Sequence, residues 1–155
     1  MSTKKFSISG KKESPTRFVA SARGFRITID QPRDFGGSDQ AANPVEYLLA
    51  GYAGCLNSIG HLVALEMGFS LKSLEIDIEG SLNTDKLFGI QTEERAGYKE
   101  IEVRLKAETH VDGFVLEEWL RKVEERCPVN DTIRNHTPIS VGVEKKEPVE
   151  EVAIV

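Results

Sequence analysis

From Tyr47 to Leu65 the chain runs 19 residues without an Asp, Glu, Lys or Arg. Its ends are marked by local chemistry. Asn43 is a good N-cap, Pro44 suits the first helical position, and Glu46 completes an Asn-x-x-Glu capping box. Gly68 supplies the glycine expected just past a C-terminus. The pattern predicts a helix from Asn43 to about Met67, roughly 36 Å long at ~1.5 Å per residue. That length would reach across a membrane. Asn57, Ser58 and His61 interrupt the run, however, and no basic or aromatic belts bracket it. A helix apolar on every side belongs at the centre of a protein core, and no membrane partner is expected. Ala50, Gly51, Ala53, Gly54 and Gly60 give it small surfaces. Each interior glycine costs up to ~1 kcal/mol of helix propensity, a cost that fits close packing of a second helix such as a dimer mate. At 155 residues the chain can hardly cover such a helix alone, so an obligate homodimer is expected.

The rest of the chain alternates around this helix. Lys5–Ser9, Arg17–Ala20 and Phe25–Ile29 read as short strands punctuated by Gly10 and Gly24, a β-meander. Pro32–Asp39 is a loop by composition. Leu71–Leu82 and Tyr98–Val111 alternate as half-buried strands, separated by a long loop from Asn83 to Gly97 of the length that often carries function. Asp112 or Gly113 opens a second helix with Leu116, Trp119, Leu120 and Val123 at helical spacing, and Cys127 falls next on that stripe. Pro128–Arg134 is a short helix or turn. Ile139–Val143 is expected to be a closing strand, and Glu144–Val155 a peripheral acidic tail. The order βββ-α-ββ-α(α)-β is an α+β arrangement with antiparallel sheets packed on two main helices. All 155 residues fit one domain.

Composition removes several function classes. An apolar share of 39% and a charged share of 29% belong to a folded globular chain. The net charge of −5 argues against general nucleic-acid binding, which wants a basic face. Met1-Ser2-Thr3-Lys4-Lys5 leads straight into the first expected strand rather than into a basic-then-apolar leader. The expected location is the cytoplasm, where a cycling disulfide is more plausible than a permanent one. The three histidines and two cysteines show no C-x-x-C or H-x-x-x-H spacing, so no metal site is expected. His61 follows Cys55 by six residues, which turns the two apart by about 240° on a helix. No glycine-rich phosphate loop suggests a nucleotide, and no cofactor is expected.

The chemistry therefore falls to the two thiols. Cys55 lies about three turns inside its helix, beyond the reach of that helix's own dipole, and would need an external cation to ionise. Arginine suits that role, and Arg17, Arg23 and Arg33 lie upstream. Inert packing is the competing reading, since free cysteine is among the most buried residue types. Cys127 precedes Pro128, which pushes it out of helical geometry and onto the start of the short helix, where N–H groups favour a thiolate. Its alternative is the last apolar residue of the second helix.

The motif set resembles the OsmC/Ohr family, the osmotically induced and organic-hydroperoxide-resistance proteins. The resemblance rests on Gly36-Gly37, on the run from Asn43-Pro44 through Gly51-Tyr52-Ala53-Gly54-Cys55, on Glu79-Gly80, on Gly97-Tyr98, and on Cys127-Pro128-Val129, in the family's order. It implies an intertwined homodimer and a two-cysteine peroxidase, with Cys55 as nucleophile and Cys127 as resolving thiol. It also implies an arginine and a glutamate beside the first cysteine. Arg33 resembles the arginine of the OsmC branch, and Arg17 that of the Ohr branch. The glutamate commonly follows Asn-Pro directly. Here Val45 stands at that place and Glu46 follows one position later, turned by about 100°. Glu46 precedes Cys55 by nine residues, about 13.5 Å along the axis, so a role beside the thiol would have to come from the other subunit.

Two readings of function follow. The first is a thiol-dependent peroxidase that takes hydrogen peroxide or organic hydroperoxides and is recycled by a cellular dithiol. The second is a non-enzymatic dimer of the same fold that binds a small apolar or reactive molecule at the dimer cleft. The discriminating feature is whether the Cys55 and Cys127 sulfurs approach within a few ångströms, since beyond about 8 Å a direct disulfide requires rearrangement.

Overall fold

The computed structural model describes residues 3–146. Among the described residues, two antiparallel sheets and three α-helices make up the fold. Strands β1 (Ser9–Lys12), β2 (Phe18–Ala22) and β3 (Phe25–Ile29) form one sheet in that order. Helix α1 (Pro44–Glu66) follows, then β4 (Ser73–Ser81) and β5 (Glu100–Glu108), which pair with each other, then α2 (Gly113–Arg126) and α3 (Pro128–Arg134). This is the expected α+β arrangement.

The ends of α1 fall where the sequence put them. The Asn43 side chain accepts from the Glu46 N–H at 2.9 Å, and the Glu46 carboxylate accepts from the Asn43 N–H at 2.7 Å, a complete capping box. At the other end Gly68 adopts φ +79°, the Gly68 N–H donates to Leu65 and the Phe69 N–H to Ala64. These are the two bonds of a Schellman cap, and the buried Phe69 seals it.

The core lies between α1, α2, α3 and the β4–β5 sheet. Tyr52, Leu56, Val63 and Ala64 of α1 meet Trp119 and Val123 of α2, with Phe69 and Cys127 in the same cluster. Along β4 and β5 the expected alternation holds: Ile76 pairs with Leu105 and Ile78 with Val103 toward the core. On the opposite face Lys106 meets Asp77 at 3.2 Å and Glu75 at 3.6 Å. Gly60 is small for a reason within this chain. A Cβ there would stand 2.9 Å from Trp119 Cζ2, and the indole N–H donates to the Gly60 carbonyl at 2.8 Å.

Two expectations change, the place of the first strand and the fate of Ile139–Val143, while the partial cover of α1 is as expected. The first strand lies later than Lys5–Ser9, because Gly10 sits inside it. Gly10 pairs with Ala20, and a Cβ there would meet the Val19 carbonyl oxygen at 2.5 Å, so the glycine permits close strand approach instead of ending a strand. The α1 helix is apolar all round but the described residues cover it on one side only, and Leu62 and Leu65 remain 42% and 58% exposed. It is long and apolar enough to cross a membrane. Its packing against α2, α3 and β4 accounts for that composition on the buried face. Finally, Ile139–Val143 forms no strand. Ile139, Val141 and Val143 are 82%, 91% and 98% exposed, because alternation creates a strand only where a sheet edge receives it. Residues 144–146 are exposed, and the rest of the acidic tail lies outside the described residues.

Candidate active site

Cys55 and Cys127 meet in space although 72 positions separate them, with their sulfurs 2.7 Å apart. Both thiols are free. A disulfide bond is about 2.05 Å long, so a displacement below ~1 Å would bring the sulfurs to bonding distance. Local sequence explains how each is held. Cys55 projects from α1 beside the stripe of the buried Tyr52 and Leu56. Cys127 ends α2 and caps α3 in one residue: at φ −78° and ψ 110° it is extended, as a residue before proline should be.

The first turn of α3 faces both sulfurs. The Asn130 N–H donates to Cys127 Sγ at 3.4 Å, and the Val129 N–H is directed at Cys55. Burial nevertheless pushes the Cys55 thiol above its ordinary value, and the hydrogen bond and charge of Cys127 add to the rise. The Val129 N–H opposes it. Cys127 is fully buried, whereas Cys55 is half-buried.

The other residues singled out in the sequence lie elsewhere within the single chain. Arg17 Nε approaches Glu13 Oε2 at 2.7 Å, and its guanidinium also donates to the Gln40 side chain. Arg33 occupies an exposed single turn of 3₁₀ helix, Arg33–Phe35. Glu46 is engaged in the α1 capping box. Among the described residues none of these three makes a hydrogen bond or ion pair to either sulfur. No cluster of metal-ligating side chains occurs among the described residues.

Sequence reasoning missed the polar residues that surround the pair. The Tyr52 hydroxyl donates to Asn130 Oδ1 at 2.6 Å, Arg134 Nε donates to the same oxygen at 3.0 Å, and Asn130 Nδ2 donates to the Glu124 carbonyl at 2.9 Å. Burial raises the Tyr52 hydroxyl above its ordinary value, against the pull of the Arg134 cation. The available signal was spacing: Tyr52 stands three residues before Cys55 on one helix, and Asn130 three after Cys127, where an N-cap side chain meets an N–H. Tyr52, Leu56 and Asn130 also border a cleft of about 780 Å³, lined further by Val45, Leu48, Ile101 and Arg134.

A second buried polar centre lies under the loop that follows β3. The Asp30 carboxylate, fully enclosed, accepts from the Thr16 and Ser38 hydroxyls and from the Gln31 and Gln40 N–H groups. The Ser38 hydroxyl first, and the remaining donors after it, hold this carboxyl well below the usual carboxylate range despite its burial.

Known proteins share this fold. The hydroperoxide reductase of Mycoplasma genitalium is 22% identical over 141 residues, spanning 90% of this chain and 94% of that protein. An OsmC-like protein from Mycoplasma pneumoniae matches in structure with a TM-score of 0.74 at 23% identity, over 84% of this chain and 88% of that chain. A Legionella pneumophila protein described as an organic hydroperoxide resistance protein matches with a TM-score of 0.62 at 25% identity, over 86% and 92%. Residues 37–142 match the OsmC-like protein family, and with most of its length so matched this chain belongs to that family.

Proposed function

We propose that this chain is a thiol-dependent peroxidase acting on hydrogen peroxide or organic hydroperoxides, with Cys55 as the nucleophile and Cys127 as the resolving thiol. The observation that carries the reading is the 2.7 Å separation of the two sulfurs. The Cys55 thiolate attacks the terminal peroxide oxygen and the O–O bond breaks. The sulfur is oxidised to a sulfenic acid, and the departing alkoxide or hydroxide takes a proton and leaves as alcohol or water. The Cys127 thiol then condenses with the sulfenic acid, forming the disulfide and one water. A cellular dithiol reduces that disulfide by two exchanges and leaves as its own disulfide. The cytoplasm is the compartment that suits this cycle, and no metal, flavin or nucleotide takes part.

Activation of Cys55 is the demanding step, because burial works against its thiolate. The Val129 and Asn130 N–H groups supply partial positive charge at the sulfurs. A full cation would come from Arg17 or Arg33, with Glu46 beside it, delivered by the second subunit of a homodimer. Support for that dimer is the open side of α1, where a Cβ on Gly51 or Gly54 would meet nothing within 4 Å. The alternative, a non-enzymatic dimer that binds a small apolar molecule, draws on the cleft that Val45 and Leu48 line.

Peroxide consumption with a dithiol reductant separates the two. Wild type should turn over, Cys55→Ser should be inactive, and Cys127→Ser should turn over slowly. Equal, negligible rates in all three proteins would favour the binding module.

A further inference from the structure

Asn130 is 5% exposed and Tyr52 6%, yet each carries a polar group where Leu and Phe would pack without desolvation cost. The carboxamide of Asn130 is engaged at both ends, by Tyr52 of α1, by the Glu124 carbonyl of α2 and by Arg134 of its own helix. Arg134 closes the circuit at 3.0 Å from Glu124 Oε1. Geometry gives this network a direction. Tyr52 precedes Cys55 by three residues, so it sits about 4.5 Å along the axis on nearly the same face of α1. Asn130 follows Cys127 by three on α3. The bond between Tyr52 and Asn130 therefore runs beside the contact between Cys55 and Cys127, one turn away, and any slide of α3 along α1 would stretch both.

We propose that the bond between the Tyr52 hydroxyl and the Asn130 carboxamide is an alignment tie that sets how often Cys127 meets Cys55. Tyr52 and Asn130 are positioning residues for the resolving step. In that step the sulfur–oxygen bond of the Cys55 sulfenic acid breaks, the sulfur–sulfur bond forms, and the Cys127 proton leaves with the hydroxyl as water. The tie rests on the redox reading of the pair, but it can be measured without peroxide. The ratio of disulfide to dithiol in a glutathione redox buffer gives the effective concentration of one thiol at the other, a quantity that destabilisation of both redox states alike would not move.

The experiment equilibrates the full chain with reduced and oxidised glutathione as wild type, Tyr52→Phe, Asn130→Ala, the double variant and Asn135→Ala. Asn135 bonds the Asp131 carbonyl at the far end of α3, so its removal loosens the helix without touching the tie. Tyr52→Phe should lower the effective concentration about tenfold, the scale of one lost hydrogen bond, and Asn130→Ala at least as far. The double variant should fall no further than Asn130→Ala, because the tie is already cut. Asn135→Ala should lower the melting temperature and leave the ratio unchanged. A Tyr52→Phe value within twofold of wild type, with only the melting temperature reduced, would overturn the proposal. So would a wild type that forms no disulfide in oxidised glutathione. Wild type that consumes no peroxide, yet shows the tenfold shift, would retain the tie and remove the peroxidase reading alone.

Discussion

Strand β3 alternates apolar and polar residues as β4 and β5 do, yet the two sheets end in different states. β4 and β5 lay Ile76, Ile78, Val103 and Leu105 on a core built with α1 and α2. The β1–β3 sheet buries Ala20, while Phe18 and Phe25 stand 39% and 64% exposed. Its link to the rest of the chain is polar: Asp30 under the following loop, and the Tyr47 hydroxyl donating to the Thr28 carbonyl at 2.7 Å. One half carries its own hydrophobic core, and the other offers apolar faces that the described residues do not cover. A period-two pattern specifies which face is apolar. It does not specify whether the covering surface belongs to the same chain.

The largest effect that separates the halves is expected at Trp119. Trp119→Ala removes the centre of the core and the indole bond to Gly60, and should cost about 3–5 kcal/mol in urea unfolding. The matching truncation in the other sheet, Phe25→Ala, should stay within ~0.5 kcal/mol, as surface substitutions do. A comparable loss at Phe25 would erase the contrast, because it would mean that the β1–β3 sheet is covered in solution. Next in size is Gly60→Ala, which forces a methyl against the Trp119 ring and should cost about 1–3 kcal/mol by overpacking. A neutral result by thermal melting would show that the indole yields there.

Acid should sharpen the contrast from the polar side. Asp30 has its carboxyl depressed in the folded chain, so its contribution is complete above the unfolded value near ~3.9. It is lost as pH falls through the lower folded value. Between pH 7 and pH 3 the wild type should lose more stability than Asp30→Asn, which has no proton to take up at this site. Hydrogen exchange at low pH should show the loss first in β2 and β3, with β4 and β5 still protected. Equal acid losses in the two proteins would mean that the carboxylate is not held by its four donors.

What the sequence disclosed follows the same division. The α1 boundaries were legible because Asn43, Pro44, Glu46 and Gly68 act on neighbours within a turn. The β4 and β5 faces were legible because their charges and apolar residues alternate without interruption. Gly10 was misjudged because its smallness answers to the Val19 carbonyl across a strand pair, and no local pattern records that approach. Ile139–Val143 has a strand's alternation without a partner edge. At the candidate site the cysteines could be placed on their elements, and the family resemblance paired them. The tie between Tyr52 and Asn130 joins residues 78 apart through one hydroxyl, and a buried Asn carries no sign in a sequence of what it will bond.

The smallest effect bears most directly on what covers the open side of α1. Gly54→Ala is the same substitution as Gly60→Ala on the same helix, and within one chain it should have the opposite sign. A Cβ at Gly54 meets nothing within 4 Å, so the isolated chain should gain up to ~1 kcal/mol of helix propensity. If a second copy packs its helix there, the methyl stands in the interface and association weakens. Stability then depends on protein concentration: the variant should exceed wild type in dilute solution and fall below it in concentrated solution, as followed by thermal melting across a dilution series. A gain at every concentration would mean that nothing packs against Gly54, and the proposed homodimer would have to use another surface.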